Sequence, residues 1–164
     1  MKSVLVTGGT VRIGKAIAAY LRERGWRVIT ASHRPDSGAD IIADLSDPTG
    51  PARLYAAAMN ILGGNPPDAL VNNAAVFALD DTEVEALNYS APKRLTELMA
   101  EREGVGAVVN IIDTRILNSP AITPYERSKA ALRDYTLESA RAYAGVLRVN
   151  AVAPGPVLVP VDVH

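Results

Sequence analysis

The chain has 164 residues, 48% of them apolar and 21% charged, with no cysteine and two histidines. This composition suits one domain with one core; it excludes a disordered or fibrous chain, a disulfide framework and a thiolate nucleophile, and with isolated histidines no metal site is expected. The net charge of −1 is unevenly spread, seven basic side chains against one acidic in residues 1–34 and four against twelve in residues 35–103, which excludes a broad nucleic-acid surface and fits a small phosphorylated ligand held near the N-terminus.

The first residues turn polar and glycine-rich quickly, unlike a signal peptide, and no apolar run approaches the ~20 residues of a membrane span. A cytoplasmic protein without a membrane partner is the expectation. In chain order, residues 4–6 read as a buried strand entering a glycine turn. Ile13, Ile17 and Leu21 then recur at helical spacing, with Gly25 as C-cap. Strands follow at 26–31 and 41–43, a helix at 52–62 closed by Gly63 and Gly64, and a fourth strand at 69–71. Residues 83–101 have a helical pattern interrupted at Pro92. A fifth strand at 107–112, a helix at 124–143 and a sixth strand at 146–152 complete the pattern. Alternating helices and continuously apolar strands predict one doubly wound α/β domain, a parallel Rossmann-like sheet covered on both faces, spanning 1–164.

Three clusters carry chemistry. Thr7-Gly8-Gly9-Thr10-Val11-Arg12-Ile13-Gly14 lies between the first strand and first helix, where glycines let a pyrophosphate approach the backbone and the helix end offers unpaired N–H groups. At the end of strand two, where an acidic residue would read a free ribose 2′-hydroxyl, the chain has Ser32-His33-Arg34. Arg34 suits a 2′-phosphate and favours NADP(H) over NAD(H), although Asp36 lies close by. Thr123 and Glu126 have capping-box spacing around Pro124, placing Tyr125 in the first helical turn and Lys129 four residues on. The spacing lets ammonium and phenol converge, and a nearby cation is expected to lower the tyrosine pKa toward that of a usable general acid.

Together these clusters resemble the short-chain dehydrogenase/reductase superfamily, and within it the pteridine reductase branch. The family's turn is usually Thr-Gly-x-x-x-Gly-x-Gly, and Arg12 replaces the middle glycine as in pteridine reductases. Asp44-Leu45 resembles the adenine-side pair, Asn72-Asn73-Ala74-Ala75 the element after strand four, and Tyr125 with Lys129 the Tyr-x-x-x-Lys signature. Asn88 stands at the active-site asparagine, and Arg148-Val149-Asn150 through Pro154-Gly155 matches the segment closing the nicotinamide pocket. Asp113 takes the place of the superfamily's serine, with Thr114 and Ser119 as nearby hydroxyls. Phe77 follows the asparagine element where pteridine reductases place a ring that stacks on the pterin; ordinary core filling is the alternative reading.

The resemblance implies strand order 3-2-1-4-5-6 and an NADPH-dependent reductase of a pterin or dihydrofolate-like substrate. Tyr125, Lys129, Asp113 and Asn88 would be catalytic: Tyr125 as proton donor, Lys129 on the nicotinamide ribose, Asp113 orienting or re-protonating the tyrosine, Asn88 supporting a water path to Lys129. Gly8, Arg12, Ile13, Gly14, His33, Arg34, Asp44, Leu45, Asn73, Ala74, Lys129, Pro154 and Gly155 would hold the cofactor. Phe77, Arg12, Asp113 and Tyr125 would face the substrate. The family continues past Gly155 into a substrate-binding helical segment and a seventh strand. Their absence here would leave strand six an open edge. The resemblance also implies a homo-oligomer, a dimer or tetramer packed through the helices near 83–101 and 124–143. A carbonyl or alcohol oxidoreductase with a non-pterin substrate and a non-catalytic dinucleotide-binding protein are the rival readings.

Overall fold

Aliphatic runs with side chains alternating between two faces build the centre of the molecule. In β1 (Ser3–Thr7), Leu5 packs with Leu54, Leu70 and Leu95, while Val4 and Val6 turn to the other face against Ala18 and Val28. The computed structural model describes residues 1–78, 80–118, 120 and 122–157. After β1 come α1 (Arg12–Glu23), β2 (Arg27–Ser32), β3 (Ile41–Ile42), α2 (Gly50–Ile61) and β4 (Ala69–Asn72). Then follow α3 (Asp81–Glu85), α4 (Ala91–Ala100), β5 (Gly106–Ile111), α5 (Arg115–Asn118), α6 (Pro124–Ala142) and β6 (Leu147–Val152). The sheet is six-stranded, every pairing parallel, in the order β3-β2-β1-β4-β5-β6. This is the doubly wound α/β arrangement read from the alternating pattern. Among the described residues β6 pairs with β5 alone, and no helix is long and apolar enough to cross a membrane.

Two local features depart from the expected elements. The helical pattern over 83–101, expected to be interrupted at Pro92, is interrupted ahead of it: α3 runs into a π turn, Ala86–Ser90, before α4 begins. Proline has no N–H for the carbonyl four residues back, here Asn88, and its ring crowds that carbonyl. The backbone widens instead, with the Ala91 N–H donating to the Ala86 carbonyl. The second is α5, one turn with no sequence counterpart because four residues carry no periodicity.

The longest helix starts as read. Thr123 Oγ1 accepts from the Glu126 N–H at 3.2 Å, and Glu126 Oε2 accepts from the Thr123 and Ile122 N–H groups at 3.0 and 3.1 Å. Pro124 occupies the first turn, where its missing N–H costs nothing. The box fixes the helix entry, and with it the direction of Tyr125.

Candidate active site

The C-terminal ends of β1, β2, β4, β5 and β6 open onto a single cleft of about 1080 Å³. Its walls run from Arg34 after β2 to Asp113 after β5. That is three strand spacings, or about 14 Å at ~4.8 Å each.

One half is built from backbone. Gly8 has φ +62°, in the left-handed region. Gly14 admits no side chain, since a Cβ there would collide with the Gly8 carbonyl oxygen. Thr7 Oγ1 donates to the Val71 carbonyl at 3.4 Å and accepts from the N–H groups of Asn73 (2.9 Å) and Ala74 (3.0 Å). The Asn73 amide donates to the carbonyls of Thr7 and Gly8 at 3.0 and 3.1 Å, so this side chain fastens the glycine turn to β4. Arg12 takes φ +47°, a strained conformation at the position of the resembled family's middle glycine. Val11, at the N-cap of α1, offers no side-chain acceptor, and the first turn holds no acidic residue. That helix end is suited to an anion.

His33 and Arg34 are exposed at the rim. Asp40 is drawn away from it: its Oδ2 accepts from Thr30 N and Oγ1, both at 2.7 Å. Asp44 Oδ1 accepts from Ser46 Oγ (2.6 Å) and N (2.9 Å), and these bonds hold its carboxyl below the usual carboxylate range. Leu45 beside it is buried while lining the cleft.

Side chains build the other half. Tyr125 Oη donates to Asp113 Oδ2 at 3.0 Å. Lys129, 2% exposed, donates to the Ile111 carbonyl at 2.8 Å and lies 5.7 Å from the Tyr125 ring centroid. Burial lowers its pKa to about 8, against a smaller opposing effect of Asp113. Burial, the Asp113 charge and the Asp113 hydrogen bond all push the Tyr125 phenol above its ordinary value, while Arg115 acts the other way. The expected lowering by Lys129 is therefore corrected. The helix spacing brings the ammonium near the ring, but the carboxylate sits on the hydroxyl.

Phe77 is 65% exposed and is no core residue; its ring lies 5.1 Å from that of Tyr125, tilted by 52°. Thr114 Oγ1 donates to the Pro154 carbonyl at 3.3 Å, and Ser119 lies outside the described residues.

Of the residues expected to be catalytic or to hold cofactor or substrate, Asn88 is the one that does not line the cleft among the described residues. It is fully buried in the π turn. Its Oδ1 accepts from Val76 N (2.8 Å) and its Nδ2 donates to the Val76 carbonyl (2.9 Å) and Ser128 Oγ (3.2 Å). Ser128 in turn donates to the Tyr125 carbonyl at 2.7 Å. Asn88 thus holds the segment before Phe77 against the first turn of α6. Sequence reading missed Thr7, Ser128 and Arg115. Thr7 was already visible as the last residue of the first strand, whereas Ser128 and Arg115 carried no spacing signal.

The family model for short chain dehydrogenases matches residues 2–163. Among solved structures, alternative dihydrofolate reductase 1 (FolM) from Brucella canis, complexed with NADP, superposes with a TM-score of 0.84 at 36% identity, covering 98% of this chain and 76% of that one. The Brucella suis counterpart, also in complex with NADP, gives 0.84 at 35% identity, with 96% and 76% covered. Protein FixR of Bradyrhizobium diazoefficiens is 34% identical over 188 residues, which are 95% of this chain and 67% of FixR. The match over nearly the whole sequence, the 3-2-1-4-5-6 sheet and the paired Tyr125 and Lys129 lead to one conclusion: this chain belongs to the short-chain dehydrogenase family.

Proposed function

We propose that this chain is an NADPH-dependent reductase of a pterin or dihydrofolate-like substrate. The observation that carries the reading is the group Asp113–Tyr125–Phe77: a carboxylate on the phenol where a serine would serve a carbonyl substrate, with an exposed ring beside it. A ring so exposed offers a stacking face for a flat heteroaromatic substrate. The two FolM structures, whose proteins are called dihydrofolate reductases and hold NADP, support it.

The residues fit the cofactor. The α1 N-terminus without a side-chain cap, flanked by Gly8 and Gly14, suits a pyrophosphate. Arg34 suits a 2′-phosphate. Lys129, buried in the cleft wall with one protein acceptor among the described residues for three ammonium donors, suits the nicotinamide ribose. His33, Asp44 and Leu45 would border the adenine side, and Pro154 and Gly155 the nicotinamide. Bound there, the reduced nicotinamide supplies a hydride.

The protein's part is the proton. Tyr125 stays protonated throughout the neutral range, so Oη–H is ready to donate to the substrate nitrogen beside the reduced carbon. Asp113 orients that hydroxyl, and Arg115 opposes the negative charge left on it. Copies would associate through the outer faces of α4 and α6, where Leu137 is exposed.

The test is NADPH oxidation followed with dihydrobiopterin, dihydrofolate and simple ketones as separate substrates. Turnover of either pterin with ketones inert supports the reading. Reduction of ketones alone transfers the protein to the carbonyl reductases, and tight NADPH binding with no turnover makes it a binding protein.

A further inference from the structure

Asp113 uses both carboxylate oxygens. Oδ2 takes the Tyr125 hydroxyl, and Oδ1 accepts from the Arg115 N–H at 2.8 Å, which fixes the start of α5. The same side chain therefore sets the proton donor and the backbone from which Arg115 projects. The Arg115 guanidinium lies 5.8 Å from the Phe77 ring centroid, and Phe77 lies 5.1 Å from Tyr125. All of these residues line the cleft, at the end remote from Arg34.

Most arginines elsewhere are already engaged. Arg22, Arg53, Arg94, Arg102, Arg127 and Arg133 pair with carboxylates, and Arg27 donates to a carbonyl. Among the described residues the Arg115 guanidinium has no carboxylate within 4.0 Å and no hydrogen-bond acceptor. Its near acidic neighbour, Glu126, has Oε2 taken by the capping-box N–H groups. An exposed cation over a ring, with its forked donors unused, is a ready site for a carboxylate.

We propose that Arg115 is a specificity-determining residue that reads the tail of the substrate, selecting pterins with a carboxylate-bearing tail over those with a neutral one. This rests on the pterin reading above. A ring stacked at Phe77 beside Tyr125 lies next to the Arg115 guanidinium, 5.8 Å from the Phe77 ring centroid, within reach of a substituent that extends from it. Carboxylates there form charge-assisted hydrogen bonds with the guanidinium. A hydroxylated neutral tail gains far less.

The experiment compares dihydrofolate, whose tail ends in carboxylates, with dihydrobiopterin, whose tail is neutral, binding calorimetrically to protein saturated with NADP+ so that nothing turns over. Arg115→Gln should weaken dihydrofolate about three- to tenfold and dihydrobiopterin less than twofold, the range of a solvent-exposed ion pair with good geometry. Arg115→Lys should fall between wild type and Arg115→Gln. Raising the salt should erode the preference of the wild type for dihydrofolate and leave Arg115→Gln unmoved. An equal loss for both ligands, or none for dihydrofolate, overturns the role of Arg115 while leaving the pterin reading in place. If the NADP+-loaded wild type binds neither pterin, the pterin reading itself fails and the inference with it. NADP+ affinity measured on each variant separates either outcome from misfolding.

Discussion

The two halves of the cleft are built from different materials. Around the glycine turn the chemistry lies in backbone groups, clamped by Thr7 and Asn73 and packed so closely that Gly14 admits no Cβ. Around Tyr125 it lies in side chains from the start of α6, from α5 and from the loops after β4 and β5, of which Phe77 and Arg115 are exposed. A backbone cradle recognises what all dinucleotides share, and only a few substitutions can alter it. A ring of side chains can be re-tuned one residue at a time. The difference teaches that cofactor binding and substrate choice should separate under mutation.

The largest effect tests the side-chain half. Tyr125→Phe removes one hydroxyl and keeps the ring against Phe77, and turnover should fall about 10²–10⁴-fold, the usual worth of a general acid. Calorimetric NADPH affinity should stay within about twofold. Joint loss of affinity and turnover would mean the halves are not separable. Gly14→Ala attacks the other half. Its Cβ meets a backbone oxygen that cannot swing away, so a stability loss of about 1–3 kcal/mol by thermal or denaturant unfolding is expected. NADPH binding should weaken at least tenfold as the turn shifts.

Lys129 belongs to both halves and should behave accordingly. Burial depresses its pKa from 10.5 to about 8. The unfolded chain therefore holds this proton up to a higher pH than the folded one. The cost of the buried cation is fully present below pH 8 and relieved as pH rises from 8 toward 10.5. Lys129→Met should accordingly stabilise the cofactor-free protein by about 1–3 kcal/mol at pH 7, a gain that shrinks above pH 8. NADPH affinity and turnover should both collapse. In the wild type, NADPH affinity should fall as pH passes 8, with no tyrosine titration near neutrality. A variant less stable than wild type at pH 7 contradicts the assigned direction.

The sheet was legible because each strand is a short apolar run between turn residues. The glycine turn was legible because steric exclusion at Gly14 leaves only one residue type. The Tyr125 and Lys129 spacing put both on one helix face, but a spacing counts neighbours along a helix and not across the fold. Burial of the phenol, together with Asp113, which arrives twelve residues upstream on another segment, reverses its expected shift. Asn88 matched a family position, yet its partners Val76 and Ser128 come together only through the π turn and α6. Arg115 belongs to a helix too short to leave a pattern.

Arg34 sharpens the comparison from the rim of the backbone half, where one side chain is asked to discriminate between cofactors. It is exposed, so its contribution is reduced by water and salt. Arg34→Ala should narrow the preference for NADPH over NADH by about 1 kcal/mol, read as a ratio of dissociation constants. Equal affinities in the wild type would show that the 2′-phosphate is not read there.

The smallest expected effect is the stability change of Phe77→Ala. A buried phenylalanine cut to alanine costs about 3–5 kcal/mol. Phe77 is 65% exposed, and its ring contacts are Tyr125 and the Arg115 guanidinium. Both partners belong to the substrate end of the cleft and not to the core clusters that include Leu5 or Val6. Removing the ring should therefore change unfolding free energy by no more than about 0.5 kcal/mol, the range for surface substitutions. Cofactor affinity should stay level, because none of the glycine-turn hydrogen bonds involves this side chain. Pterin affinity should fall several-fold as the stacking face disappears. The combination matters more than any single number: a stable protein that holds NADPH and loses pterin places Phe77 in the substrate half. A drop of several kcal/mol with both affinities falling together would instead make the ring part of what holds the two halves in register, and the contrast between them would be one of packing rather than of function.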